Sequence, residues 1–421
     1  MLSKEENERF TRVGRGTPMG ELLRRYWHPV AAETEFDDRS IKPIRLMGED
    51  LVLYRDESGT FGLVDRHCPH RRADLSYGFV EECGIRCNYH GWKFDERGHC
   101  LAQPFEDSVN PNSRFKDQVS ITAYRVETKA GLCWAYLGPD PAPLIPTWEP
   151  FTYDNGFCQI AFSDVPCNWL QCQENSIDPV HFEWLHNNWS MILAGQKGSY
   201  APTHRKISFE EFEYGFGYHR LLENEDETNF NWLLQRLCIL PNLFLPRTHF
   251  EWRVPVDDET TLSVVWNYTR VPRDCEPYKQ EKIPYWYAPI TDPMTGRWIT
   301  SHVINQDTVA WVGQGRVAER NLEHLGRGDR GVVLLRRQLE LDMRAVGEGR
   351  DPKGIIRNAQ ENVCIDLPGN RRELFLAGLD RADWLKQFAQ ATKNNPGDYF
   401  SLLAGQPAEI RRAFEEAMGL S

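Results

Sequence analysis

Short runs of apolar, β-branched and aromatic residues mark the chain from about residue 44 to residue 137. Turn-rich pieces such as DESG (56–59) and DERG (95–98) separate these runs. Runs of this length between turn signals are typical of β-strands. The clearest four are EDLVLYR (49–55), TFGLVDRHC (60–68), GIRCNYHGWKF (84–94) and GLCWAYLG (131–138). The pattern predicts a small all-β domain over residues 44–137.

Two helix-start signals precede this domain. Ser3 followed by Glu6 matches a capping box, and Thr17 followed by Pro18 matches an N-cap with proline at the first helical position. Residues 1–43 are therefore predicted to be an N-terminal helical segment.

A proline-rich stretch follows the β domain. Residues 138–150, GPDPAPLIPTWEP, hold five prolines in thirteen positions and predict a linker. Residues 151–421 then form a second, mixed domain. Within it, THFEWRVPV and TTLSVVWNYTRVP flank the turn DDE (257–259) and predict two antiparallel strands, while residues near 165–190 are typical of a helix.

One apolar stripe near the end of the chain has helical spacing. Asp329 precedes it and is predicted to be its N-cap. The spacing predicts a helix with one face in the core. Its apolar positions are Val332, Leu335, Leu339, Met343 and Val346.

Composition narrows the class of protein. The formal net charge of −12 argues against nucleic acid or an anionic membrane as a partner, because both favour basic surfaces. No apolar run approaches the ~20 residues that span a bilayer. The charged start MLSKEENERF has no apolar segment typical of a signal peptide. Eleven cysteines, an odd number without a disulfide framework, favour a reducing cytoplasmic location.

Two Cys and two His lie in one segment of the predicted β domain. Cys68 and His70 form a Cys-x-His pair, Cys87 and His90 form a Cys-x-x-His pair, and sixteen residues separate the pairs. Thiolate and imidazole ligands suit zinc or an iron–sulfur cluster. A Rieske [2Fe–2S] cluster needs two Cys on one iron and two His on the other. Two loops that each offer one Cys and one His fit that need, so the cluster is preferred and structural zinc is the alternative.

The segment CPH…CNYHGWKF resembles the Rieske motif of the ring-hydroxylating, Rieske-type non-haem iron oxygenases. The resemblance implies that its two Cys hold one iron and its two His hold the other. Cys83 and Cys100 fall outside the motif, and we predict that both are small buried apolar residues.

A second motif lies beyond the linker, in NWLQCQENSIDPVHFEWLH (168–186). By themselves, two His in an aromatic stretch are more typical of core packing. His181 and His186 are five residues apart, which does not place them on one face of a regular helix. Their convergence on one metal requires a π-like bulge or a helix break at Pro179. Two His and one carboxylate form the facial triad of non-haem iron oxygenases, and this spacing resembles the mononuclear-iron motif of the same family.

The family resemblance also implies roles for two carboxylates. Asp307, in INQDTVAWVGQG, is implied as the third iron ligand, and Asp178 as a bridge between an iron-ligating His and a cluster-ligating His of a neighbouring subunit. An N-cap role is the alternative for each. The pattern in ERNLEHLGRGDRGVVLLRR (319–337) resembles the phthalate-dioxygenase-like branch, with Glu319 where Asp is usual.

The resemblance covers nearly the whole chain and sets expectations for the whole protein. It implies an α+β fold in which a small all-β Rieske domain precedes a helix-grip catalytic domain, an antiparallel sheet around a long helix. It implies homotrimers or stacked trimers and a separate NAD(P)H-dependent reductase, with a ferredoxin as a possible carrier. No strand followed by G-x-G-x-x-G supports a built-in reductase.

The implied reaction is hydroxylation of an aromatic compound, with or without a carboxylate, by O2 and reductase-supplied electrons. Oxidative O- or N-demethylation is the alternative, and a non-enzymatic Rieske electron carrier is a third. Arg205, Arg236 and Arg247 are candidates to bind a substrate carboxylate, or are surface charges. Four aromatic residues are candidates to line the pocket or to fill the core, namely Trp169, Phe182, Trp184 and Trp189.

Overall fold

The computed structural model describes residues 2–196, 198, 200–369, 371–394 and 401–420. The chain divides into two compact units. We call residues 13–145 the N-terminal unit and residues 1–12 with 146–421 the C-terminal unit. These limits differ from the predicted limits at 43, 137 and 150, because strands of the segment before residue 44 pair within the N-terminal unit.

The N-terminal unit is built on two antiparallel sheets. Its helices are α2 Pro18–Leu23 and α3 Pro104–Val109. Its strands are β1 His28–Ala32, β2 Ile41–Leu46, β3 Glu49–Arg55, β4 Phe61–Asp65, β5 Phe79–Glu81, β6 Gly84–Arg86, β7 Lys93–Phe94, β8 Cys100–Ala102, β9 Ala123–Lys129 and β10 Leu132–Tyr136. One sheet has the order β1-β10-β9-β4-β3-β2 and the other the order β5-β6-β7-β8. β3 coincides with the predicted run EDLVLYR.

The C-terminal unit contains an eight-stranded sheet. Its strands are β11 Gly156–Val165, β12 His204–Phe212, β13 Gly215–Leu222, β14 Arg236–Ile239, β15 Leu243–Leu245, β16 His249–Pro255, β17 Thr261–Arg270 and β18 Tyr285–Tyr287. They follow the order β12-β13-β14-β15-β16-β17-β11-β18. All neighbours are antiparallel except β11 and β18. The predicted pair of strands around DDE is present as β16 and β17.

Helices accompany this sheet in the C-terminal unit. They are α1 Lys4–Thr11, α4 Trp169–Asn175, α5 Trp189–Leu193, α6 Phe230–Leu233, α7 Val303–Gly313, α8 Arg330–Gly347, α9 Arg371–Leu376, α10 Arg381–Asn394 and α11 Ala408–Ala417. A π-helix over Phe182–Asn188 leads directly into α5. None of the described helices is long and apolar enough to cross a membrane.

Local signals account for several helix boundaries. The Ser3–Glu6 capping box is formed at the start of α1, and the Thr17 hydroxyl accepts a hydrogen bond from the Gly20 amide at the start of α2. α8 buries the whole predicted stripe. Asp329 does precede α8, but its carboxylate accepts from the Gly326 amide at 2.6 Å and caps no helical amide.

Candidate metal centres and cavity

The two Cys–His loops of the N-terminal unit close in the same way. In each loop, the Cys amide donates to the carbonyl five residues later, at 2.8 Å in both cases. The amide four residues later donates back to the Cys carbonyl, at 2.9 Å for Cys68 and 3.0 Å for Cys87. The donating residues, Arg72 and Gly91, both have positive φ, 60° and 77°. Each loop is therefore a tight turn that presents a Cys at its base.

The four side chains separate by chemistry. Cys68 and Cys87 are buried in one apolar cluster, whereas His70 and His90 are exposed. The two imidazole rings have centroids 4.6 Å apart at an interplanar angle of 72°. Trp92 stacks on His70 with centroids 4.5 Å apart and 7° between the planes. The loops thus bring two thiols together on the inner side and two imidazoles together on the outer side.

Burial raises the pKa of the Cys68 thiol to about 12, and the neighbouring Cys87 adds to this rise. A hydrogen bond with the His70 backbone acts in the opposite direction and lowers the pKa. A metal ion reverses this preference, because a coordinating thiol is deprotonated. Two adjacent buried thiols facing two solvent-accessible imidazoles fit the asymmetric ligand demand of a Rieske cluster.

The two other cysteines of the segment behave differently from each other. Cys100 is buried, as predicted, and its Sγ donates to the Ala102 carbonyl at 3.7 Å. For Cys83 the prediction of burial was wrong. Cys83 is exposed and has a φ of 62°. It lies in the turn between β5 and β6, not on a strand that faces the core.

In the C-terminal unit, His181, His186 and Asp307 each offer one ligand atom, and these atoms lie within 4.8 Å of one another. Asp307 Oδ1 is 3.7 Å from His181 Nε2 and 3.4 Å from His186 Nε2. The three side chains are mostly buried. Two imidazole nitrogens and one carboxylate converging in this way fit a non-haem iron site with open positions.

The π-helix explains how two His five residues apart converge. A helix with i→i+5 hydrogen bonds brings residues five apart near one face, which an α-helix does not. His181 is the N-cap of the π-helix Phe182–Asn188, and His186 lies within it. Asp307 comes from the middle of α7, whose N-cap is His302, so the N-cap alternative for Asp307 is wrong.

Each of the three side chains has one further polar neighbour, which lies at the outer nitrogen of each His and at the same Oδ1 of Asp307 that faces the two imidazoles. Asp178 Oδ2 is 3.5 Å from His181 Nδ1, and Gln306 Oε1 is 3.0 Å from His186 Nδ1. Asn175 Nδ2 is 3.4 Å from Asp307 Oδ1. The sequence analysis did not single out this Gln or this Asn. Only their positions in the sequence could have indicated them: Gln306 directly precedes Asp307 in α7, and Asn175 ends α4 shortly before the His pair.

Asp178 combines two roles. Its Oδ1 accepts from the Val180 amide at 2.7 Å, which is capping geometry, while its other oxygen faces His181. Burial acts to raise its pKa, but the hydrogen bond and charge of His181, with two backbone amides, outweigh burial and lower the pKa below its ordinary value. The side chain is therefore a carboxylate near neutral pH.

Comparison with known proteins decides the family. The model of the Rieske [2Fe-2S] domain matches residues 26–115. The chain is 53% identical over 421 residues to the 5,5'-dehydrodivanillate O-demethylase oxygenase subunit of Sphingobium sp. (strain NBRC 103272 / SYK-6), covering 100% of this chain and 98% of that protein. The chain belongs to the Rieske non-haem iron oxygenases.

One further relative supports this assignment, and a solved structure supports the fold. The oxygenase is 34% identical to the phenoxybenzoate dioxygenase subunit alpha of Ectopseudomonas oleovorans, covering 85% of this chain and 90% of that one. The solved structure of Pseudomonas putida CBB5 NdmA has a similar fold, with a TM-score of 0.58 at 20% identity, and the match covers 78% of this chain and 93% of that one. The predicted α+β class is confirmed.

Family membership settles the class of cofactor and reaction. The oxygenase is an enzyme with a Rieske [2Fe–2S] cluster and a mononuclear iron. The zinc-stapled binding protein and the non-enzymatic electron carrier are therefore excluded.

A cavity of about 920 Å³ in the C-terminal unit reaches the His–His–Asp group of this oxygenase. Its other lining residues include Phe182, Arg236, Arg247 and His249. A second cavity of about 660 Å³ lies on the side of Asp178 and is lined by Trp184 and Trp189. Of the four aromatic candidates, one thus lines the larger cavity and two line the smaller. Trp169 is fully buried core.

Proposed function

We propose that this oxygenase removes the methyl group of a methoxylated aromatic acid. The overall reaction consumes the aromatic methyl ether, O2, two electrons and two protons, and yields the phenol, formaldehyde and water. Hydroxylation of the methyl carbon gives a hemiacetal, and its collapse breaks the bond between that carbon and the ring oxygen. The observation that carries the proposal is a pair of arginines, Arg236 and Arg247, that line the cavity of the two His and the Asp and form no ion pair with a carboxylate of the described residues. The likeness to an O-demethylase over the full length supports it.

In this proposal Cys68, Cys87, His70 and His90 hold the cluster, and His181, His186 and Asp307 hold the iron. The paired loop turns and the 4.8 Å grouping support these assignments. When bound, the cluster supplies an electron and the iron supplies O2 activation.

The neighbouring residues orient the ligands. Gln306 Nε2 donates to the Ser190 hydroxyl and to the Thr300 carbonyl, at 2.9 and 3.0 Å. Its Oε1 therefore faces His186 Nδ1, which must carry the proton and leave Nε2 free for the metal. Asp178 does the same for His181 and forms the proposed electron bridge.

Arg236 is the stronger of the two carboxylate candidates. Only 3% of it is exposed, it lines the larger cavity, and its guanidinium forms one hydrogen bond to the described residues, to Asn231 Oδ1 at 3.3 Å. Its Nε has no partner among the described residues. A buried guanidinium costs free energy unless an anion pairs with it, so this one is suited to bind the carboxylate of a substrate.

Its neighbours show which arginine remains available. Arg220 already pairs with Glu183, whose carboxylate is 3.2 Å away and also contacts His204 at 2.7 Å. The Phe182 ring contacts two guanidinium groups, with Arg220 Cζ 4.3 Å and Arg236 Cζ 4.5 Å from the ring centroid. Arg247 lines the cavity and has no carboxylate partner among the described residues. Arg205 is exposed on β12 and lies outside this cavity.

The proposal includes partners. Electrons reach the cluster from a separate NAD(P)H-dependent reductase, directly or through a ferredoxin, since the sequence offers no dinucleotide-binding motif and the 5,5'-dehydrodivanillate O-demethylase relative is named as an oxygenase subunit. We propose a homotrimer or stacked trimers in which the cluster of one subunit serves the iron of the next.

The test is a screen of aromatic acids with a surrogate reductase. Methoxylated acids, the same acids without the methoxy group, and neutral methoxyaromatics are compared by O2 uptake and formaldehyde release. We expect about one formaldehyde per O2 for methoxylated acids. A ring diol with no formaldehyde would instead favour dihydroxylation.

Variants test the arginine assignment. Arg236→Met should raise KM for the acid by about tenfold or more, because a charge-assisted hydrogen bond is lost and a buried carboxylate is left unpaired. Arg205→Met is the matched control and should leave KM unchanged. Equal effects of both variants would contradict the assignment.

A further inference from the structure

Three charged or titratable residues occupy alternate positions of β16. Side chains two apart on a strand lie on the same face, which places His249, Glu251 and Arg253 together. All three are buried, at 8%, 3% and 1% exposure. The intervening residues pack elsewhere, since Phe250 stacks on Trp252 with ring centroids 5.5 Å apart. A strand that buries three such residues on one face must pair them with each other.

The pairing runs in one direction along the strand. Arg253 hydrogen-bonds one carboxylate oxygen of Glu251, and His249 Nε2 lies 2.7 Å from the other. Arg253 is held by the Ser263 hydroxyl at 3.3 Å, and its Cζ lies 4.4 Å from the Trp311 ring centroid in α7. The row is therefore anchored at Arg253, and its free end is His249.

The chemistry of this row fixes the tautomer of the neutral imidazole. Burial acts to raise the pKa of Glu251, but the Arg253 charge and the contacts with both neighbours lower it to about 2. An ionised carboxylate only accepts hydrogen bonds, so His249 Nε2 must donate. In the neutral ring, Nδ1 is then a bare acceptor.

That acceptor is unpaired in the part of the chain that the structure describes. No described residue forms a hydrogen bond with His249 Nδ1, and this nitrogen is not fully buried. His249 lines the same cavity as the two His and the Asp. A molecule that fills the cavity displaces water from this oriented acceptor and must offer it an O–H or N–H, because an acceptor left unpaired on binding costs free energy.

We propose that His249, held by Glu251 and Arg253, binds a phenolic hydroxyl of the substrate and so selects hydroxylated methoxyarenes. This rests on the proposed function, in which the cavity takes a methoxylated aromatic acid. The substrate carboxylate binds the arginines and not His249, because an unprotonated imidazole nitrogen and a carboxylate oxygen are both hydrogen-bond acceptors. A phenol O–H supplies the missing donor.

The test compares two substrates that differ only in the hydroxyl, 4-hydroxy-3-methoxybenzoate and 3-methoxybenzoate. Kd is measured by calorimetry on the metal-loaded oxygenase without O2, and KM by formaldehyde release. His249→Phe should raise Kd and KM for the hydroxylated acid about tenfold and change those for the other acid less than about twofold. His249→Gln keeps an acceptor and should restore part of the discrimination.

Two results would overturn the proposal. One is an equal loss for both acids in folded His249→Phe with normal cluster absorbance and iron content, which would indicate a structural role. The other is no change for either acid. If His249→Phe does not fold, the two acids are compared on wild type and on His249→Gln. A wild-type preference for the hydroxylated acid below about twofold would contradict the proposal. Absence of formaldehyde with every acid would refute the proposed function, while the calorimetric comparison still tests His249.

Discussion

Asp307 is a buried carboxylate in the middle of a helix, and its Oδ1 lies 3.4 Å from His186 Nε2 and 3.7 Å from His181 Nε2. The remaining contact is Asn175 Nδ2 at 3.4 Å. None of the described lysines or arginines is paired with it. A cation stabilises a buried carboxylate in this setting, and the iron proposed for this site would supply it.

The first prediction is that Asp307→Ala removes one iron per chain and leaves the Rieske cluster intact. The two His alone bind iron weakly because the charged ligand is gone. Iron content and the cluster's visible absorbance are measured together. Asp329→Ala is the control and should retain all the iron. Loss of iron in Asp329→Ala, with iron retained in Asp307→Ala, would mean that Asp329 and not Asp307 is the iron ligand.

At this scale the sequence was informative where ligands come in tight spacings. Cys-x-His, Cys-x-x-His and the five-residue His spacing are local patterns with few chemical explanations. Gln306 and Asn175 could not be predicted, because their contacts depend on how α7 and α4 pack. Exposure of Cys83 depends on a turn with positive φ, which its spacing does not encode.

At the scale of elements, the π-helix is one of the two features that the sequence offered for convergence of the His pair, the other being a helix break at Pro179. Five-residue separation and convergence on one metal are incompatible with a regular α-helix, and Phe182–Asn188 is a π-helix. Long elements such as β3 and α8 followed from periodicity. The first strands were missed because β1 pairs with β10, more than a hundred residues later, and such pairing leaves no local signal.

The second prediction concerns α8, whose buried stripe packs in the C-terminal unit. Leu339 is fully buried, whereas Leu341 of the same helix is 45% exposed. Leu339→Ala should destabilise the protein by about 2 to 5 kcal/mol, because it leaves a cavity in the core. The measurement is urea unfolding of the metal-loaded protein.

Leu341→Ala is the matched control, and an effect within about 0.5 kcal/mol is expected for a surface change. Equal destabilisation by the two variants would mean that the helix does not face the core as described.

At the scale of the whole molecule, each chain contributes two metal centres from two compact units. The third prediction is that two inactive variants, Cys68→Ser and His181→Ala, restore activity when their subunits are mixed and allowed to exchange. Some mixed trimers then place an intact cluster of one chain beside an intact iron of another. Formaldehyde release after exchange is the measurement.

The control is the same mixture before exchange, which should be inactive. An inactive mixture proven to contain hetero-oligomers would mean that electrons do not cross between chains. In that case the bridging role proposed for Asp178 would also fail.

Demethylation that uses the electrons of both metal centres is tested most directly by a single turnover without any reductase. The metal-loaded oxygenase is reduced, freed of reductant and mixed with O2 and a methoxylated aromatic acid. The cluster and the iron each hold one available electron, so we predict oxidation of the Rieske cluster together with formaldehyde, up to about one per chain. Asp307→Ala, with an intact cluster, should give none. Cluster oxidation without formaldehyde in the native protein, or formaldehyde from Asp307→Ala, would contradict the account.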